Sequence, residues 1–319
     1  MDLHIIDVSN YISAGSEYIT HTNGETYLDE NGKFRGKVMP VGGVGFLLGV
    51  IDTFMFNSIY PCDFAFCFDS APKIKRDMFK ELFPVGEGYK ETRSRKPTHI
   101  PFNRDLAYQV IQQCGFNAFK VEGYEADDII ATLVKMYHEQ YERIYIHTRD
   151  GDLAYLVDEK VSIATVGDKG KEINRSNWSY TVDKNQILPY GSATINKLML
   201  GDSGDNIPPI QVEVTRKIQR VMDDDLYEMC ADVDMTREVI RRISDNDDYT
   251  MRLLDIIIPL KVPEHELTMY SVEFDVNAYN AYSVLCGRRG AKGTHYNSTD
   301  KIEDTMNNVL ERYIDKRLK

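Results

Sequence analysis

The chain of 319 residues is short of several things, and each shortage removes a class of protein. It has five cysteines (Cys62, Cys67, Cys114, Cys230 and Cys286), scattered and without a Cys-x-x-Cys pair. That argues against a disulfide scaffold or a zinc ribbon, and reads as reduced thiols in a cytoplasmic protein. The histidines form no His-x-x-x-His pattern. No apolar run is long and clean enough for a bilayer: Val38 to Phe56 carries Pro40, four glycines and Asp52. It suits a buried helix entered through a Gly-rich turn, and no membrane partner is expected. Gly42-Gly-Val-Gly45 falls short of a dinucleotide fingerprint, because Leu48 stands where the third glycine belongs. The start, Met-Asp-Leu-His, lacks the basic segment of a leader. No internal repeat or low-complexity tract is present. Positive charge is also scarce, with 38 Lys and Arg against 50 Asp and Glu, a net charge of −12. Spread evenly, such acidity would oppose phosphate binding. Much of it is instead grouped in short, regularly placed sets, which suggests bound cations.

The N-terminal half alternates strands and helices. Leu3 to Val8 and Asp63 to Asp69 are short apolar runs closed by carboxylates, as buried strands would be. Residues 41–59 and 102–114 read as helices, 117–121 as a third strand, and Glu125 to Tyr141 as an amphipathic helix. Arg143 to Thr148 is a fourth strand and Val161 to Val166 a further short one. This order predicts an α/β fold with a mostly parallel central sheet and flanking helices. After about Tyr190 helical spacing dominates, with helices expected over 213–244, 248–258 and 298–317. The expected organisation is an α/β domain over 1–190 and a smaller helical domain over 191–319. Gly287 to Ser298 reads as a basic loop, and Trp178 as packing.

Nine carboxylates fall at strand ends or helix starts: Asp7; Asp69; Glu125, Asp127 and Asp128; Asp150 and Asp152; Asp202 and Asp205. In a parallel sheet the carboxyl ends of the strands converge on one edge, where ligands bind. Any one set alone suits a cap or a turn: Asp127-Asp128 could cap a helix, and Asp150-Gly-Asp152 could turn. Five sets at successive strand ends point instead to divalent cations, since so many like charges repel and resist neutralisation by protons. Ligands that are all oxygen favour Mg²⁺ or Mn²⁺ over zinc.

Tyr124-Glu-Ala-Asp-Asp128, Thr148-Arg-Asp-Gly-Asp152 and Gly201-Asp-Ser-Gly-Asp-Asn-Ile-Pro208 resemble the motifs of the 5′ nucleases. That family contains flap endonucleases, the 5′-nuclease domains of bacterial DNA polymerases and phage 5′→3′ exonucleases. With Asp7 and Asp69, the resemblance covers residues 1 to about 210. Length and the segment after Pro208 bring it nearest the T-even-type phage ribonuclease H branch, which removes RNA primers. The resemblance implies two Mg²⁺ ions, with Mn²⁺ able to substitute. One would be held by Asp7, Asp69, Glu125, Asp127 and Asp150. The second would lie near Asp152, Asp202 and Asp205, with Asp128 in support.

From Lys73 to Lys96 there are eight bases (Lys73, Lys75, Arg76, Lys80, Lys90, Arg93, Arg95, Lys96) and four acids, a local charge of +4. Alone, this would read as a solvated basic loop. Beside the acids it resembles the family's helical arch, spanning about 72–101. The resemblance implies catalytic roles for Lys90 and Arg93 in meeting phosphate charge, base stacking by Tyr89, and phosphate contacts from the other bases. After Asn206-Ile-Pro, Pro208 to Val214 lacks the glycines of the family's duplex-docking hairpin, although Arg216, Lys217 and Arg220 could still meet phosphates. The expected function is a Mg²⁺-dependent 5′→3′ exonuclease and flap endonuclease. It would act on DNA with a 5′ flap or overhang and on RNA–DNA hybrids, in primer removal during phage replication. A monomer in the host cytoplasm is expected, with a single-stranded DNA-binding protein or sliding clamp as natural partners. Two other readings stand beside it: a PIN-type single-strand ribonuclease, and a non-catalytic branched-DNA binding protein. The arch and the later helices weigh against the first, and the full acid set against the second.

Overall fold

The computed structural model describes residues 1–15, 41–55, 62–92, 99–164, 172–173, 180–183, 186–188, 192–221, 233–271 and 273–285. In chain order, strand β1 (Asp2–Asp7) leads to helices α1 (Val8–Gly15) and α2 (Gly42–Met55) and strand β2 (Cys62–Cys67). Helices α3 (Lys73–Leu82) and α4 (His99–Gln113), strand β3 (Asn117–Phe119), helix α5 (Ala126–Tyr137) and strand β4 (Arg143–His147) follow. A short 3-10 helix at Gly151–Leu156 precedes β5 (Val161–Ala164), β6 (Glu172–Ile173), β7 (Tyr180–Asp183) and β8 (Gln186–Leu188). Then come α6 (Ser192–Leu200), α7 (Val212–Val221) and helices Val233–Ile243, Asp248–Ile257 and Val276–Leu285. The fold class is α/β, as expected. No described helix is long and apolar enough to cross a membrane.

These elements divide into two compact units. The first holds the described residues of Met1–Phe68, Lys96–Phe119 and Thr268–Lys319. Its strands run parallel in the order β3-β2-β1, with Ile5 opposite Ala65 and Ala65 opposite Asn117. Leu3, Ile5 and Ile6 are fully buried, so β1 is covered on both faces, which is why it reads as a continuous apolar run. His4 stacks on Phe64, and burial depresses its pKa to about 4, so it is a neutral core residue. The glycines at the start of α2 serve packing: a side chain at Gly43 would meet the Asn103 amide of α4 at 3.0 Å. That amide oxygen accepts the buried N–H of Val44 at 3.1 Å. The last described helix is tied in by Tyr279, which donates to the Leu48 carbonyl, and by Tyr282, which donates to Gln113.

The second unit holds Asp69–Arg95 and Lys120–Leu267, again over the described residues. Strands β4 and β5 pair in parallel and β6 adds an antiparallel edge, while β7 and β8 form a separate hairpin. Periodicity misses β6 to β8 because two to four residues are too few to show alternation. The unit's core joins Phe79, Tyr89, Ile195, Leu198, Ile218, Ile240 and Leu253. The division expected near residue 190 is not where the compact units part. Helix α6 packs on the Gly151–Leu156 helix, and helix Asp248–Ile257 packs on α3, so the later helices share a core with the earlier α/β elements. Trp178, residues 93–98 of the arch, the 287–298 loop and the expected 298–317 helix lie outside the described residues.

Asn103→Ala leaves the Val44 N–H without its acceptor. We expect a loss of about 1–3 kcal/mol in urea unfolding; an unchanged midpoint and slope would show that this contact does not hold α2 on α4.

Candidate active site

Eight of the nine expected carboxylates fall in the second unit, and local backbone chemistry explains how most are held. Asp69 follows β2, and its Oδ1 accepts the N–H of Ala126 at 3.0 Å, capping α5. Asp128, fully buried, accepts the N–H of Glu125 (2.9 Å) on one oxygen and that of Leu260 (2.7 Å) on the other. Its second oxygen also lies 3.1 Å from the Lys75 ammonium. Asp150 receives the N–H of Asp152 at 2.9 Å and donates its own N–H to Thr148, so the loop after β4 folds back on itself.

The Gly201-Asp-Ser-Gly-Asp-Asn-Ile segment closes a tighter loop. Asp202 and Ile207 exchange backbone hydrogen bonds at 2.8 and 2.9 Å. Gly201 sits at φ +76°, where a side chain would come within 2.6 Å of the Ile207 carbonyl, so glycine is required. The Asp202 carboxylate accepts the N–H groups of Gly204 and Asp205, and Asp205 turns inward, 4% exposed. Four residues before Gly201, Lys197 projects from α6 into the same acids.

Besides Lys75, two further lysines sit among the carboxylates. Lys90 Nζ is 2.6 Å from Glu125 Oε1 and 3.6 Å from Asp205 Oδ2. The Tyr89 hydroxyl bridges the same two residues, at 3.0 Å to Glu125 and 3.4 Å to Asp205. Lys197 Nζ bonds Asp152 and lies 2.8 Å from Asp202 and 3.8 Å from Asp205. Burial works against the Glu125 charge, but Lys90 and then Lys75 outweigh it and hold the carboxyl below its ordinary range. Burial likewise opposes the charge on Asp202, and Lys197 overcomes it. Asp150 goes the other way: burial and then the charge of Asp152 push its pKa up, and the hydrogen bond from the Asp152 N–H, then Lys197 and Lys90, only partly offset them.

The structure places several expected residues differently. Lys75, expected on phosphate, is buried between Glu125 and Asp128, whose negative charge it meets at the start of α5. Tyr89, expected to stack on a base, has its ring packed near Phe79 and its hydroxyl committed to Glu125. Lys73, Arg76 and Lys80 are exposed on α3, as are Arg216 and Arg220 on α7; Lys217 pairs with Asp245. Arg93, Arg95 and Lys96 lie outside the described residues. Asp7 closes β1 in the first unit, where it bonds Asn10. Lys197 was not anticipated. Its signal was a lone base in the run Ile195-Asn-Lys-Leu-Met-Leu200, just ahead of an acidic loop.

Among the described residues no three acidic, histidine or cysteine side chains stand at metal-ligand spacing. The donor chemistry nevertheless fits a hard divalent cation. The acids offer only oxygens, and Asp152, Asp202 and Asp205 already surround one positive charge, the Lys197 ammonium.

Residues 31–186, just under half of the chain, match the family described as 5'-3' exonuclease, N-terminal resolvase-like domain. A 5'-3' exonuclease of Bacillus subtilis is 30% identical over 177 residues, 54% of this chain and 55% of that protein. DNA polymerase I of Mycobacterium leprae is 29% identical over 181 residues, 57% of this chain and 19% of that one. The chain thus matches about half the length of the exonuclease and about a fifth of the polymerase. A structure of T5 5'-exonuclease with bound zinc covers 98% of this chain and 100% of its own, at a TM-score of 0.51 and 16% identity, a likeness of fold.

Asp128→Ala would strand Lys75 and the Glu125 and Leu260 N–H groups in the interior. We expect a loss of about 3–5 kcal/mol in denaturant unfolding; a shift under about 1 kcal/mol would show that Asp128 is not a structural anchor.

Proposed function

We propose that the chain is a divalent-metal-dependent 5′ nuclease, a 5′→3′ exonuclease and flap endonuclease that hydrolyses phosphodiester bonds near the 5′ ends of DNA. The observation that carries this reading is one open cleft in the second unit, lined by Lys75, Tyr89, Lys90, Glu125, Asp127, Asp152, Lys197 and Asp205. These side chains come from segments far apart in sequence, and the family match spans much of the same stretch. A T5 flap endonuclease of similar fold (TM-score 0.50) is described in complex with DNA and metal ions.

Asp69, Glu125, Asp127 and Asp150 are suited to hold one cation, and Asp152, Asp202 and Asp205 a second. Mg²⁺ is the expected ion, and Mn²⁺ is an effective substitute. Bound there, the cations supply an activated water and neutralise the phosphate and the leaving oxygen. The protein's own groups do the rest. Glu125 and Asp205 together fix Tyr89 and Lys90, and the Lys90 ammonium lines the cleft, where it would meet charge on a phosphate. Exposed Lys73, Arg76 and Lys80 on α3, with Arg216 and Arg220 on α7, are placed to contact the backbone of the nucleic acid. The glycine-free segment after Pro208 supports the T-even-type ribonuclease H branch. RNA–DNA hybrids would then be substrates, the setting would be primer removal in phage replication, and a single-stranded DNA-binding protein or sliding clamp would be a partner.

The direct test is digestion of 5′-labelled flap, nicked duplex and RNA–DNA hybrid, with and without Mg²⁺. Asp150→Asn should nearly abolish cleavage while nucleic-acid binding stays within a few-fold; turnover above about a tenth of wild type in saturating Mg²⁺ would overturn the metal assignment.

Lys90→Ala should slow single-turnover cleavage by about 10²-fold to 10³-fold with little change in affinity, because the ammonium acts on charge that grows at the transition state. If only the dissociation constant rises, Lys90 is a positioning contact.

A further inference from the structure

The geometry points to Lys197 as a built-in competitor for one divalent cation: its ammonium fills the place among Asp152, Asp202 and Asp205 that the ion would take. The inference rests on the metal-dependent reading above and adds an order of events. The ammonium must withdraw before these oxygens can close on a metal.

Three observations carry it. First, the three carboxylates converge on a single atom. Lys197 Nζ bonds Asp152 Oδ2, lies 2.8 Å from Asp202 Oδ2 and 3.8 Å from Asp205 Oδ2. Magnesium would draw such oxygens to about 2.1 Å. An ammonium and a divalent ion cannot share that space, since two positive charges at such a separation repel. Second, among the described residues no three donors stand at metal-ligand spacing. The acids stand instead at ion-pair distances from the ammonium.

Third, the helix that carries the lysine is anchored on both sides of it. Its neighbours Asn196 and Leu198 are buried at 5% and 0% exposure, and α6 is locked into the core of the second unit. The Lys197 side chain itself is 13% exposed and lines the cleft. Its four-carbon stem can swing while the helix stays fixed. Exchange of cations is therefore a rotamer change that needs no refolding. The withdrawn ammonium carries three donors and remains at the cleft, where substrate phosphate is proposed to lie.

The test is Mn²⁺ binding to the full chain without nucleic acid, after chelator treatment, by electron paramagnetic resonance and calorimetry. Lys197→Met keeps the stem and removes the charge. It should tighten the weaker Mn²⁺ site by at least about tenfold, while the metal-free variant melts lower and regains stability as Mn²⁺ is added. Lys197→Arg, which keeps the charge, should bind Mn²⁺ no more tightly than wild type. Equal or weaker binding by Lys197→Met would overturn the inference and leave the nuclease reading intact. If wild type binds no Mn²⁺ at millimolar concentration, the metal reading fails together with the inference. Should Lys197→Met fail to fold, the side-chain ¹⁵N signal of Lys197 in wild type decides. Ca²⁺ should abolish its ion-paired signature, and an unchanged signal would overturn the exchange.

Discussion

Repulsion between buried carboxylates is the constraint on which the second unit depends. Glu125, Asp128 and Asp205 are each less than a tenth exposed, and Asp150 and Asp152 stand beside them. Acids gathered this closely in a weakly polar setting would take up protons or push the chain apart unless positive charge were built in with them. Lys75, Lys90 and Lys197 provide it, each from a different helix or turn. Lys75 comes from α3, Lys90 from the turn beyond it, and Lys197 from α6. The position of these elements is thus partly an electrostatic solution. Two of the ammoniums stand where a nuclease would want phosphate or metal, so the charge that lets the unit fold is also charge available to a reaction.

Backbone groups do the fine positioning. The chain between Gly88 and Thr92 is fastened to the acidic loop: Lys90 donates its N–H to the Asp205 carbonyl, and Asn206 donates to the Gly88 carbonyl at 2.8 Å. Thr92 donates its hydroxyl to Asn206. Lys90 and Asn206 both adopt positive φ, at 58° and 63°, which asparagine tolerates and lysine rarely adopts. Strain of this kind persists only where the surroundings fix it. Here the reciprocal bonds fix it, and the result is an ammonium aimed at two carboxylates rather than at solvent.

Strands β1 to β5 were legible in the sequence as short apolar runs, the first two closed by carboxylates, whereas β6 to β8 were too short to show. Helix α5 was legible from its spacing, although it stops at Tyr137, where the chain turns before Tyr141. What could not be read was which bases would be buried. Lys75 and Arg76 are adjacent in a basic run, yet one is enclosed and the other exposed. Only the helix rotation set by Phe79 on the core decides between them. The same holds for Tyr89: a tyrosine beside a lysine suggests stacking on a base, and a carboxylate 36 positions away claims its hydroxyl. Lys197 was missed because its pairing with Asp152 spans 45 residues, and the pairing with Asp202 shows locally only as a lone base ahead of an acidic loop.

Buried ion pairs seldom stabilise a fold in net terms, since desolvation offsets most of their attraction. The stability of the second unit must therefore come from elsewhere, and the side chains show where. Phe79, Tyr89, Ile195, Leu198, Ile207 and Ile210 belong to one apolar cluster. All but Ile210 lie within four residues of a charged group of the cleft: Phe79 of Lys75, Tyr89 of Lys90, Ile195 and Leu198 of Lys197, and Ile207 of Asp205. Ile210 fixes the end of the acidic loop by donating its N–H to the Leu198 carbonyl at 3.0 Å. The apolar cluster thus holds the very segments that carry the charges. A substitution that loosens the core should disturb the cleft first, because the charges have little attraction to spare once their scaffold gives way.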